Sequence, residues 1–125
     1  MYRHYNPNPD GKKVGDCVIR ALAKAMNMDW ERTYMAVVLQ GYIMHDMPSA
    51  NSVWGALLRS KGYKQRTVDV DNPDYYTLAD FAADHAEGKY IVALSSHVVC
   101  VVDGDWYDTW DSGGEEPLYY WGCDK

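Results

Sequence analysis

Apolar residues change their spacing partway along the chain, and the change separates a helical first part from a stranded second part. Over 17–27, Val18, Leu22, Ala25 and Met26 recur at helical spacing, and Asp16 stands where an N-cap belongs. Asn27 sits where a turn ends that helix. Asp29 caps a second helix, Trp30 to about Tyr42, along which Tyr34, Val37, Val38 and Gly41 keep the helical period. Met44-His45-Asp46-Met47-Pro48 breaks it. Ser49 opens a third helix over 50–60, with Val53, Trp54, Leu57 and Leu58 inward and Gly62 closing it. Thr77 caps a fourth, Leu78 to about Ala86, stopped by Gly88.

Beyond Gly88 the period shortens. Tyr90-Ile91-Val92-Ala93-Leu94 is a continuous apolar run, as in a strand covered on both faces. His97 to Val102 is the next strand, and Asp103-Gly104 is a two-residue hairpin turn that returns the chain as Asp105 to Trp110. Ser112-Gly113-Gly114 loops to a last strand, Leu118 to Trp121. Earlier, Tyr63 to Val70 reads as a short strand before the turn Asp71-Asn72-Pro73-Asp74. Residues 1–16, with Asn6-Pro7-Asn8-Pro9-Asp10-Gly11, read as an extended arm. Helices first and strands second predict an α+β fold: N-terminal helices packed on a C-terminal antiparallel sheet, as one domain over 1–125.

Composition narrows the function classes. The chain has 125 residues, of which 47% are hydrophobic, enough for one real core. Eleven Tyr and five Trp against one Phe give nearly every aromatic a polar edge, suited to half-buried cleft walls. A net charge of −6 with scattered lysines and arginines argues against a nucleic-acid partner. No apolar run approaches the roughly 20 residues that span a membrane. The first residues hold no apolar segment of signal-peptide type. Three cysteines without Cys-x-x-Cys spacing suit a reducing cytoplasm better than a disulfide framework or a structural zinc site.

The candidate chemistry lies where helix and hairpin begin. Gly15-Asp16-Cys17-Val18 places Cys17 first in its helix, where free backbone N–H groups and the helix dipole favour a thiolate. A lone cysteine is more often a small buried hydrophobe, so the second signal matters. His97 is the base that a thiol needs. With Asp103-Gly104 as the turn, Val102 pairs with Asp105, Val99 with Asp108 and His97 with Trp110. Asp108 then shares the His97 face, diagonally offset. Asp111 falls on the other face unless a bulge brings it round. Trp106 and Trp110 share the His97 face, as walls of the imidazole or as plain core packing. Asn6 and Asn8 are amide donors for an oxyanion, or turn formers. Arg20, one turn after Cys17, pairs with a carboxylate such as Asp16 or steadies the site. Cys100 alternates away from His97; Cys123, His4, His45 and His85 show no partner pattern.

These residues resemble the papain-like cysteine peptidase superfamily, in which a cysteine on the N-terminal helix precedes a histidine and an Asp or Asn on adjacent strands. More narrowly, the chain looks like small uncharacterised phage and prophage proteins. The shared segments are Asn-Pro-Asn-Pro (6–9), Gly-Asp-Cys-Val-Ile-Arg-Ala (15–21), Asn-Ser-Val-Trp (51–54) and the His97–Ser112 hairpin. The resemblance implies Cys17 facing His97 across a cleft, with Asp108 or Asp111 as the third member. It implies a thiol hydrolase, a peptidase, isopeptidase or amidase acting through a thioester, with no cofactor or metal. Its partner is then a protein or peptide substrate, from the host cell where the chain is phage-encoded. One feature departs from the family. Papain-like enzymes often carry an oxyanion-donating glutamine about six residues before the cysteine, and here that stretch is Gly11-Lys12-Lys13. Either an arm asparagine replaces it, or the hole is incomplete, which would suit an inactive relative that binds a host protein.

Overall fold

Caps and chain-reversing residues set the helix limits, and apolar faces decide where the helices pack. The computed structural model describes residues 1–123. Helix α1 spans Cys17–Met26 and stops at Asn27, whose φ of 53° is left-handed. Helix α2 spans Trp30–Met44, a little longer than its spacing predicts, and the Asp29 side chain accepts from the Arg32 N–H. Helix α3 spans Asn51–Ser60, with Ala50 rather than Ser49 at the N-cap position. Helix α4 spans Leu78–Asp84, shorter than expected, behind a capping box formed by Thr77 and Asp80.

Six strands form one sheet: β1 (Tyr2–His4), β2 (Tyr63–Thr67), β3 (Lys89–Leu94), β4 (His97–Val102), β5 (Asp105–Asp108) and β6 (Tyr119–Cys123), in the order β1-β5-β4-β3-β6-β2. The expected antiparallel sheet is in fact mixed. Tyr2, Arg3 and His4 pair in parallel with Trp106, Tyr107 and Asp108. The arm is extended as expected, but its first residues also satisfy the open edge of β5. Arg3 and the N-terminal ammonium hold Asp105 at that edge.

Helices cover both sheet faces. Along β4, Val98 and Cys100 face α1, α2 and α3, together with Leu22, Trp54, Leu58, Ile91 and Trp121. Val99 and Val101 face α4, with Leu78, Phe81, Val92 and Trp106. This two-sided burial explains the unbroken apolar run of β3, and each fully buried Val or Leu contributes about 1.5–3 kcal/mol. The buried stripe of α2 is Thr33, Val37 and Gly41, whereas Tyr34, expected inward, is exposed and stacks on Trp30. A Cβ on Gly41 would come within 2.8 Å of the Asp46 carbonyl oxygen, so α2 and its following loop need glycine there. No helix among the described residues is long and apolar enough to cross a membrane.

Candidate active site

Two short turns aim the hairpin. Leu94 pairs with His97 across a two-residue turn in which Ser96 has a φ of 55°, so strand β4 begins at the histidine. At its other end, Asp103 and Gly104 have φ of 49° and 83°, both positive as a primed hairpin turn requires. That turn fixes Val102 opposite Asp105 and Cys100 opposite Tyr107. Asp108 then falls on the histidine side, and His97 Nε2 donates to Asp108 Oδ2 at 2.6 Å.

Asp108 is fully buried and its two oxygens are saturated. Oδ2 accepts also from Ser112 Oγ at 2.8 Å. Oδ1 accepts from Arg20 Nη2 at 3.0 Å and from the Thr109 backbone N–H at 2.8 Å. Arg20 is itself buried, and its Nη1 donates to Asp16 Oδ1 at 2.6 Å. Trp30 Nε1 completes the set by donating to Asp16 Oδ2 at 2.8 Å. Asp16 holds the N-cap position of α1, yet its side chain bonds no first-turn N–H. Asp16 stands at the cap position predicted from residue type, but the expected side-chain cap bond is not made: the Arg20 guanidinium takes one carboxylate oxygen as an ion pair and the Trp30 indole takes the other.

The Cys17 thiol lies at the first turn of α1, facing the His97 side chain and the Val98 backbone N–H. Nε2 is committed to Asp108, so Nδ1 is the nitrogen left for sulfur. Burial raises the thiol pKa, but hydrogen bonds from His97 and the Val98 N–H, with the His97 and Arg20 charges, bring it below the ordinary value. Burial alone would lower His97; its bonds to Asp108 and Cys17 outweigh that and raise it to about 9. Asp108 is likewise pushed up by burial and held lower still by His97 and Ser112, so it stays ionised. The three directions all favour moving the proton from sulfur to the imidazole, toward a thiolate–imidazolium pair.

Trp110 lies tilted on His97, with ring centroids 5.1 Å apart, while remaining 45% exposed. It is therefore a cover over the imidazole rather than core packing. Trp106 is core, and its Nε1 donates to Asp111 Oδ1 at 2.9 Å. Asp111 also accepts from the Gly113 N–H. The structure brings Asp108, not Asp111, to the histidine. Asn6 donates to the Gly11 and Lys12 carbonyls, and Asn8 accepts from the Asp10 and Lys12 N–H groups. Both build the arm's turn, and neither lines the cleft beside Cys17, which corrects their placement as oxyanion donors. That cleft, about 390 Å³, is walled by Gly15, Cys17, Ser49, Asn51, Trp54, Ser96 and His97, with Leu118 and Tyr119 at its apolar side.

Ser112 and Asn51 are site residues that sequence reasoning missed as such. Ser112 was visible only as loop material, and no period marks a buried loop serine. Asn51 was visible in the Asn-Ser-Val-Trp segment, without a reason to join it to Cys17. The remaining candidates lie apart. Burial pushes the Cys100 thiol up to about 12. His85 stacks on Phe81 and bonds the Phe81 carbonyl of its own helix. His45 ends α2 in a left-handed conformation, and His4 lies beside the Tyr2 hydroxyl. A larger hollow, about 720 Å³, opens at the far end of α1 by Ala25, Tyr63, Lys89 and Val102, and holds none of the groups bonded to His97. No three His, Cys, Asp or Glu side chains among the described residues are arranged to hold a metal.

Comparison with protein-family models, curated proteins and solved structures finds no match to this chain.

Proposed function

We propose that the chain is a cysteine hydrolase of papain-like type, cleaving a peptide, isopeptide or carboxamide bond in a protein or peptide. The observation that carries this reading is the 2.6 Å bond from His97 to a buried Asp108, with the imidazole's other nitrogen left for a helix-start thiol. The order of the parts supports it: cysteine on the first helix, histidine and aspartate on neighbouring strands.

The chemistry follows from the charges. The Cys17 thiolate attacks the carbonyl carbon, and the C=O π pair moves onto oxygen. His97 gives its proton to the leaving nitrogen as the C–N bond breaks, which leaves a thioester and a neutral amine. His97, now a base, takes a proton from water while the water oxygen attacks the thioester. The C–S bond breaks, the carboxylic acid departs, and the ion pair is restored. A positioned acid and base contributes about 10²–10⁴-fold to such steps. Asp108 keeps the imidazole in one orientation, and Trp110 shields its bond to the carboxylate from water. All three cysteines are free, and a reducing cytoplasm, the host cell's where the chain is phage-encoded, keeps the nucleophile so.

Iodoacetamide at neutral pH tests the pair, with the labelled peptide identified by mass spectrometry. Cys17 should react faster than an ordinary thiol, and His97→Ala should slow it at least ~10-fold, because the thiolate fraction then falls toward that of a thiol with pKa about 8.5. Equal labelling of Cys17 in both proteins would leave the inactive, host-protein-binding reading in its place.

A further inference from the structure

The oxyanion donor missing from the stretch before Cys17 has a counterpart on a different helix. Asn51 is the first residue of α3 and walls the same cleft as Cys17 and His97. Trp54 Nε1 bonds its side chain at 3.2 Å, and Trp54 is buried in the core. An indole N–H only donates, so the atom against it is Oδ1. The free end of the Asn51 amide is therefore its NH₂, which meets no acceptor among the described residues. A donor whose other end is tied to the core is oriented before substrate arrives, which is what makes an oxyanion donor effective. The Ser49 and Ser96 hydroxyls share the cleft, but a hydroxyl rotates about its C–O bond and takes no such fixed direction.

We propose that Asn51 Nδ2, with the Cys17 backbone N–H, forms the oxyanion hole of this enzyme. The inference rests on the cysteine-hydrolase reading above. When the thiolate attacks a carbonyl, the electron pair displaced onto oxygen is held by these two donors. It then returns to re-form the C=O as the leaving group departs with its bonding pair. The Asn-Ser-Val-Trp segment would then be one device: the tryptophan locks the amide whose NH₂ does the work.

Two reagents separate this role from the reactivity of the thiol itself. p-Nitrophenyl acetate acylates sulfur through a tetrahedral oxyanion and expels p-nitrophenolate. Iodoacetamide alkylates sulfur by direct displacement of iodide, with no oxyanion. The protein carries Cys123→Ser, since that thiol is exposed and outside the cleft. Asn51→Asp is the main variant, because a carboxylate still accepts from Trp54 and so preserves the fold while removing the donor. Asn51→Ala is the second. Acylation should fall on the order of 100-fold relative to alkylation in both. Alkylation of Cys17 stays within about twofold in Asn51→Ala, and in Asn51→Asp falls only as far as the added carboxylate opposes the thiolate that both reagents need. Equal acylation of the parent and both variants overturns the role of Asn51 and leaves the hydrolase reading standing. Acylation of the parent that survives Cys17→Ala unchanged overturns the hydrolase reading itself, and the oxyanion hole with it.

Discussion

Two thiols lie along the contact between α1 and β4, and they are chemically opposite. Cys17, at the start of α1, is half-buried and its pKa is lowered. Cys100, midway along β4, is completely buried, and its thiol is pushed up to about 12. Burial raises both. At Cys17 it is outweighed by His97, the Val98 N–H and Arg20; at Cys100 the ammonium groups of Lys24 and Lys89 offset it only in part. The histidines repeat the lesson. His97 bonds a carboxylate and faces sulfur, whereas His85 bonds a carbonyl of its own helix and stacks on Phe81. Residue type supplies the candidates, and the partners at each end of the layer decide which of them reacts.

The largest expected effect comes from breaking the charged end. Asp108→Ala removes one of two carboxylates from a buried Arg20 and leaves the imidazole unoriented. Unpairing a buried charge costs about 3–5 kcal/mol, and urea unfolding should show a loss of that size. Asp111→Ala removes the acceptor of two bonds from the uncharged donors Trp106 Nε1 and Gly113 N–H, leaves no cation unpaired, and should cost about 1–2 kcal/mol with the Cys17 alkylation rate unchanged. Slowing of Cys17 by Asp111→Ala as severe as by Asp108→Ala would transfer the orienting role to Asp111.

Next in size is the pH response of the charged end. Below the lowered pKa of Cys17 the proton returns to sulfur and the nucleophile is lost. Above about 9 His97 loses the proton that the leaving amine needs. If the proposed hydrolase function holds, amide or peptide cleavage should therefore follow a bell, rising below the pKa of an ordinary thiol, about 8.5, and falling near 9. A single rise centred near 8.5 with no alkaline fall would mean that Cys17 and His97 titrate independently.

How much of this was legible in the sequence depended on how local the cause was. The Asp103-Gly104 turn sets its own register, so Asp108 could be placed beside His97 from residues a few positions apart. The parallel pairing of Tyr2–His4 could not be placed, because three residues carry no period and their partner strand lies near the other end of the chain. Asp16 is a good cap by type, but Arg20 and Trp30, on two different helices, claim its oxygens. Asn6 and Asn8 were the nearest amides before Cys17 in sequence, whereas the amide in the cleft comes from α3. Secondary structure and the hairpin followed from neighbours. The buried ion pairs and the far wall of the cleft arise from helix packing, which spacing does not encode.

The smallest effect tests the dry end. Cys100 in the folded protein stays protonated until about 12, whereas in the unfolded chain it ionises above about 8.5. Between those values the folded state binds more protons than the unfolded state, so stability falls as pH rises. The contribution is fully present below 8.5 and declines by up to about 1.4 kcal/mol per pH unit above it. Cys100→Ala removes this dependence and, as a core truncation, costs about 1 kcal/mol near pH 7. Burial, more than the Cys100 charge that both also feel, raises the Tyr5 and Tyr63 hydroxyls above the ordinary tyrosine range, so they stay protonated at pH 10. The other groups that titrate in alkali do so in both proteins and cancel in the difference. Urea unfolding at pH 7, 8.5 and 10 should therefore show the gap between parent and variant closing, and vanishing or reversing by pH 10. A gap that stays constant over that range would mean that Cys100 ionises inside the fold, and the contrast between the two thiols would then rest on access rather than charge.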